Sequence, residues 1–335
     1  MRLISTCSLL GVFGLLGCPD TSKDTSDTGD IGTDSGDSAD SGDTETGDTE
    51  TGDTAVEPVL DGVSWNFVEQ AITTRDTLAI VITAHYDDGS TADVTADSTF
   101  SSTDESVAKI YVAGVIQPLG EGVTTIGGSY AGVDMSGALT VGIVPATNAD
   151  LVINEVLADG TVDGDPNGDG TIDSVQDEFI EIANLSDVTV SLAGCTLIED
   201  DFYTGLPRHT FADGTVLRAG EAIVVFGGGD VSALSAANVQ FVSAVNGDSG
   251  LEYGLSFNNE GEHIELRDPT GGVLTTFAYG EGTDVDAIED ASMVLAPDVW
   301  GTAYTHHTYA TGSIGDFSPG TFVDGTPFPG VDGRY

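Results

Sequence analysis

The sequence predicts an all-β chain, with two β-sandwich units following a disordered acidic linker. Three observations predict it. Apolar and polar residues alternate over short runs: in LAIVITAHY, Leu78, Ile80, Ile82, Ala84 and Tyr86 fall on one face and Thr83 and His85 on the other. That is the period of a half-buried strand. The runs end at Gly, Asp and Asn clusters such as Asp87-Asp88-Gly89-Ser90, where glycine tolerates positive φ, and none reads as an amphipathic helix. Finally, 335 residues carry 56 acids against 8 bases, a formal net charge of −48. The length suits about two domains. The charge repels phosphate, which excludes nucleic-acid binding through a basic surface.

The chain opens with MRLISTCSLLGVFGLLGC, one Arg and then an apolar run from Leu3 to Gly17. The run is too short to span a bilayer and fits the apolar part of a signal peptide. Its ending, LLGC, resembles the bacterial lipoprotein signal. The resemblance implies a signal peptide over 1–18, with Cys18 lipidated and left as the mature N-terminus. The other reading is an ordinary secretory signal that contains Cys18. Each buried acyl methylene is worth about 0.8 kcal/mol, so several chains anchor almost irreversibly. Residues 19–56 follow, with an acid at about every third position among Thr, Ser and Gly and with Lys23 as the only base. Nothing there can bury a core, so the segment is expected to be a disordered, charge-stiffened spacer.

Residues 57–145 form the first unit. After LAIVITAHY come the strand candidates VAKIYV, VTTIGGSY and ALTVGIV. Several short strands at this spacing suggest an antiparallel sandwich. The order Tyr86-Asp87-Asp88-Gly89-Ser90, Val94-Thr95, Ser101 to Ala108, Gly114-Val115 and Gly120-Glu121-Gly122 resembles the bacterial Ig-like group 2 domain. That resemblance implies a surface-display module with no catalytic residue.

Residues 147–330 form the second unit. VTVSLAG places Val188, Val190 and Leu192 on one face, and beyond Gly194 the apolar set shifts parity to Cys195 and Leu197. A bulge at Gly194 is expected. AIVVF reads as a central strand, and in EGEHIELRD Ile264 and Leu266 should face inward. Cys195, in an apolar setting, reads as a buried small hydrophobe. Ile153-Asn154-Glu155, Asp177-Glu178-Phe179 with Glu181, Gly194 before Thr196-Leu197, and Asn258-Asn259 with Gly261 together resemble the bacterial lamin-tail domain. The likeness runs on to FSPGTFVDGTPF, with Cys195 where that family commonly has Trp. It implies an Ig-like fold with a C-terminal extension.

The most informative stretch is DGDPNGDGTIDSVQDEFIEI, residues 163–182. Asp165, Asn167, Asp169, Gly170, Thr171 and Asp173 match positions 1, 3, 5, 6, 7 and 9 of an EF-hand-type calcium loop, with Thr171 offering its carbonyl. Position 12 is Gln176, which cannot give a bidentate carboxylate, so Asp177 or Glu178 is expected to substitute, joined by Asp163. The expected cofactor is structural calcium. The alternative is a polar turn that needs no ion. Neighbouring carboxylates repel by about 1 kcal/mol or more per pair near a surface, a penalty that calcium removes.

Catalytic patterns are weak. GDSG at 247–250 copies a serine-protease nucleophile segment, but Ser249 and His85 fall in different units, and catalysis needs them within hydrogen-bond reach. His306-His307, with His209 or His263, could ligate zinc only in an irregular loop; exposed or hydrogen-bonded histidines are the plainer reading. The sequence thus points to a non-enzymatic, lipid-anchored protein of the bacterial cell envelope. The destination is an outer-membrane lipoprotein facing the periplasm or the surface. Its partners would be the membrane, through the lipid, and an envelope or extracellular protein or polysaccharide. The alternative is an accessory protein that positions a substrate or partner for an extracellular hydrolase.

Overall fold

A computed structural model describes residues 56–112, 114–158, 164–199, 207–245, 254–285 and 291–333. Cys18, most of the linker, Asp163 and Ser249 lie outside the described residues. The described secondary structure is all β apart from three short 3-10 turns. No helix among the described residues is long and apolar enough to cross a membrane.

The first ten strands are β1 (Leu60–Trp65), β2 (Gln70–Thr73), β3 (Leu78–Ala79), β4 (Ile82–Tyr86), β5 (Thr91–Asp93), β6 (Thr99–Ser102), β7 (Ala108–Val112), β8 (Val115–Pro118), β9 (Gly122–Tyr130) and β10 (Val133–Gly142). They form sheets ordered β1-β4-β5, β2-β10-β9-β6 and β3-β8-β7. Ile80, Ile82, Ala84, Ile116, Ile126, Leu139 and Val141 close a common core. The run read as one strand, LAIVITAHY, is split: β3 pairs with β8 and β4 with β1. Asn66 makes the break, since its Oδ1 accepts from Val81 N at 2.8 Å and its Nδ2 donates to Ala79 O at 3.2 Å. The inward parity of the run survives the change of sheet. The glycine at 137 has a packing reason: a Cβ there would lie 2.7 Å from the Phe67 ring.

Thirteen more strands follow: β11 (Val144–Pro145), β12 (Leu151–Leu157), β13 (Phe179–Asn184), β14 (Val190–Ser191), β15 (Thr196–Glu199), β16 (Pro207–Thr210), β17 (Val216–Leu217), β18 (Ala222–Phe226), β19 (Val239–Ser243), β20 (Gly261–Arg267), β21 (Val273–Gly280), β22 (Met293–Ala296) and β23 (Ala303–His306). A six-stranded sheet, β19-β18-β13-β12-β22-β23, faces a four-stranded one, β16-β15-β20-β21. Ile153, Ile180, Ile182, Ile223 and Val225 meet Leu197, Ile264, Leu266 and Phe277 between them. Cys195 is buried in this core with a free thiol.

Gly194 makes no bulge. It sits at φ 72° in a turn between β14 and β15, which belong to different sheets. The parity shift at Cys195 is therefore a change of sheet. AIVVF is uniformly apolar because β18 is buried on both faces. Val224 and Phe226 point outward, under Val231, Leu234 and Phe317, and Ala222 lies beneath Phe328. The C-terminal strap, residues 307–330, together with Val299 before β23, thus covers the outer face of the six-stranded sheet.

The two cores are tied together. Arg75 forks onto Asp150, with Nη1 to Oδ1 at 3.1 Å and Nη2 to Oδ2 at 2.7 Å. Burial works against the charge of Asp150, but the hydrogen bonds from Arg75 and Thr147 hold its carboxyl below the ordinary value. Thr74 Oγ1 donates to Thr189 O at 2.7 Å, and Thr189 Oγ1 to Leu119 O at 2.6 Å. Near the C-terminus, Asp332 accepts from Lys109 Nζ at 3.3 Å and Tyr111 OH at 3.0 Å. Residues 57–335 cluster as one compact unit.

Candidate functional site

The acidic loop joins β12 to β13 and packs on residues 227–234. Gly168 at φ 72° and Gly170 at φ 89° supply its tight reversals. Its carboxylates fold back on its own backbone. Asp165 Oδ1 accepts from Asp169 N at 3.1 Å and Oδ2 from Gly170 N at 2.7 Å. Asp169 Oδ1 accepts from Thr171 N at 2.7 Å. Asp173 Oδ1 accepts from Val175 N and Gln176 N, both at 3.0 Å, and these bonds hold its carboxyl below the ordinary value. Asn167, fully buried, reaches toward the carbonyls of Gln176 at 3.4 Å and Gly228 at 3.5 Å.

One atom breaks this pattern of self-satisfaction. A single turn, closed by Asp177 N to Asp173 O at 3.1 Å, carries Asp177 into the loop. Its side chain is 0% exposed. Oδ2 accepts from Asp173 N at 2.7 Å, but Oδ1 is buried with no hydrogen-bond partner. Burial raises its carboxyl above the ordinary value, repulsion from Asp165 and Asp169 adds to the rise, and the Asp173 N–H on Oδ2 opposes it. A buried carboxylate oxygen without a donor, facing two more carboxylates, is costly unless something positive compensates it.

The turn also accounts for the unsuitable residue at position 12. Gln176 packs its side chain toward Gly228, so the residue one place further, Asp177, points inward. Glu178 does not join the loop. Both of its oxygens accept from Phe257 N at 3.1 Å. Burial drives its carboxyl well upward, with Glu199 and Arg208 among its charged neighbours. Among the described residues no three His, Cys, Asp or Glu groups are already arranged to hold a metal. The loop's amide and carbonyl oxygens, at Asn167 and Thr171, are donors of another kind, suited to calcium rather than to a transition metal.

The other candidates resolve differently. His85 shares a hydrogen bond with Ser64 Oγ at 2.7 Å across the β1–β4 pair. His209 is buried, and its Nδ1 accepts from Val245 N at 3.0 Å; burial lowers its imidazole to about 4. His307 is also buried, with Nδ1 beside Gly315 O and Ser313 Oγ. His209 and His307 are core histidines, and His85 is half-buried at the surface of its sheet.

Sequence reasoning missed a second set of buried acids. Glu155 and Glu181 are cross-strand partners on the outer face of the six-stranded sheet, sealed by the strap. Glu155 Oε1 accepts from Ser292 Oγ at 2.5 Å and Ser318 N at 2.9 Å, and Oε2 from Ser318 Oγ at 2.7 Å. Glu181 accepts from Asn154 Nδ2 at 2.9 Å and Gly320 N at 2.7 Å. Asn154 Oδ1 takes Val299 N at 2.7 Å, and Asp298 Oδ2 takes Val323 N at 3.3 Å. Glu262 is likewise buried, on the inward parity of Ile264 and Leu266. Asn154, Glu155 and Glu181 carried part of the lamin-tail likeness and interrupt otherwise apolar strands, but neither signal pointed to their burial.

The fold and the loop define an all-β protein with Ig-like sandwich architecture. Residues 144–281 match the family model described as Lamin Tail Domain. No curated protein matches the chain. Among solved structures, domains 4 and 5 of the S-layer protein SbsC align at 16% identity over 25% of this chain, with a TM-score of 0.22. The alignment spans 53% of that structure's own length, about half. Domains 5–6 of the same protein align at 13% identity over 66% of this chain and 97% of that one, with a TM-score of 0.23.

Proposed function

We propose that the chain is a non-enzymatic display module of the bacterial cell envelope. It is anchored by a lipid on Cys18, raised on an acidic spacer and locked by calcium in the 165–177 loop. The observation that carries the reading is the buried, partnerless Oδ1 of Asp177 facing Asp165 and Asp169. Calcium takes six to eight oxygens. Asp165, Asn167, Asp169, Asp173 and Asp177 offer side-chain oxygens and Thr171 a carbonyl. The ion is structural, because the loop packs on the sandwich without meeting a catalytic constellation. Arg75–Asp150 and the Thr74–Thr189–Leu119 relay support a rigid body suited to display.

Two measurements test this. Calcium titrated into the purified mature chain should bind at one site, and Asp177→Asn should lose it; an unchanged heat signal in both proteins would remove the cation from the account. Cells fed labelled palmitate should label the wild type and not Cys18→Ser. Equal labelling would exclude the anchor.

A further inference from the structure

Two adjoining cavities, about 380 Å³ and about 500 Å³, form one open cleft where the two sandwiches meet. Ser106, Arg218, Glu221 and Asn238 line both. Sites at domain junctions in this size range are where small ligands bind. The junction's ion pair and threonine relay hold the cleft's walls in place.

The cleft contains the chain's exceptional cation. Among the described residues four of the Lys and Arg side chains are ion-paired: Arg75 with Asp150, Lys109 with Asp332, Arg208 with Glu199 and Arg267 with Glu265. Arg218 is exposed and has no such partner among the described residues. In a chain with 56 acids, a guanidinium left with its donors unspent marks a place where something else accepts them. Acceptors stand beside it. Gln240 Nε2 is committed to Val216 O at 2.6 Å and Asn238 Nδ2 to Phe328 O at 2.7 Å. Those bonds turn the amide nitrogens away and leave Oε1 and Oδ1 as acceptors. Glu221 Oε2 takes Arg218 N at 3.0 Å, which leaves Oε1. Asn238 is held at φ 62°, a conformation few non-glycine residues adopt. At the far wall Tyr111 is 44% exposed, with Lys109 Nζ 4.8 Å from its ring centroid.

We propose that this cleft binds a neutral oligosaccharide strand. A polyol offers donors and acceptors on adjacent carbons, which matches a guanidinium flanked by carboxylate and amide oxygens. The exposed tyrosine supplies a flat apolar edge for a sugar ring. Charge selects against an acidic polymer. Glu105, Glu121, Glu221 and Asp332 outnumber Lys109 and Arg218 in the lining by four to two, and the whole chain is strongly negative. The inference gives the display module a ligand and does not depend on the calcium loop.

The test is native electrophoresis of the mature chain through gels containing β-1,3-glucan, β-1,4-glucan, xylan or mannan, followed by calorimetry with hexamers of whichever retards it. Each is run with calcium and with chelator. The wild type should be retarded by at least one neutral glycan in both conditions. Arg218→Ala, at an exposed position, should weaken binding about tenfold or more while leaving the melting temperature unchanged. Tyr111→Ala, which also gives up the bond to Asp332, should weaken binding to a similar degree, and Tyr111→Phe, which keeps the ring, should retain it. Free migration in every neutral glycan, retardation by acidic polymers alone, or full retention of binding in Arg218→Ala would each overturn the proposal. Binding that persists in chelator while calcium fails to bind would sink the cation reading and leave this one standing.

Discussion

Calcium at 10 mM should raise the melting temperature of the mature chain by roughly 5–10 °C over chelator. The tighter extracellular calcium modules bind with Kd of about 0.1 mM, which 10 mM exceeds about a hundredfold. At a hundredfold excess over Kd, a ligand that binds only the folded state adds about 2.7 kcal/mol. For a body of this size each kcal/mol shifts the midpoint by about 2–4 °C. Magnesium should do much less, because it demands octahedral geometry and gives up its water reluctantly. Asp177→Asn keeps the size of the side chain and removes the charge, so the variant should lose most of the calcium shift. It should also melt at or above the chelated wild type, since Asp177 no longer faces Asp165 and Asp169. Gly229→Ala offers a second probe that removes no ligand. Its φ is 76°, and a Cβ would lie 2.5 Å from Asn167 Nδ2 and 2.6 Å from Asp169 Oδ2, so it should push the loop apart and blunt the calcium response. Midpoints within 1 °C in calcium and chelator would show that the loop is held without an ion.

What the sequence made legible was what two-residue periodicity encodes. Ile80, Ile82 and Ala84 are buried as their alternation requires, and the continuous apolar run of β18 lies between two covered faces. Connectivity was less legible. Nothing in LAIVITAHY announces that Asn66, well upstream, will take the backbone of Val81 and divide the strand between sheets. Gly194 gave a true signal, positive φ, that fits a turn as well as a bulge. In the loop the acidic spacing marked a turn in which Asp165, Asp169 and Asp173 accept from the loop's own backbone N–H groups. It could not show that one helical turn would swing Asp177 inward and send Glu178 to the Phe257 backbone. Glu155 and Glu181 were invisible for a longer-range reason: their burial depends on a strap more than a hundred residues away.

That strap makes the second large prediction. Glu155 and Glu181 are both fully buried, and burial raises the carboxyls of both above their ordinary value; for Glu181, repulsion from Glu155 adds to the rise. Asp298 is raised as well, again by burial first. His307 faces Glu155 and Asp298, and its positive form would oppose the rise. Acids with raised folded values bind more protons folded than unfolded, so their contribution is complete below about pH 4.5 and declines as pH climbs through the folded values. Exposed acids with lowered values, such as Asp76 and Asp324, act with the opposite sign, so the informative quantity is a difference between proteins. Glu155→Gln is the apt variant. Its carbonyl can accept from Ser318 N and Ser292 Oγ, and its amide can donate to Ser318 Oγ, as a protonated Glu155 would. It also relieves Glu181 of a charged neighbour. The variant should match the wild type near pH 5 and gain on it as pH climbs through the folded value of Glu155, by about 1.4 kcal/mol for each tenfold difference in proton affinity between the folded and unfolded chain. Glu155→Ala should instead melt lower at every pH, because it leaves the buried serine donors without an acceptor. Chemical denaturation of the three proteins from pH 5 to 8 decides the matter. Parallel wild-type and Glu155→Gln curves would mean that Glu155 stays ionised beneath the strap over this range.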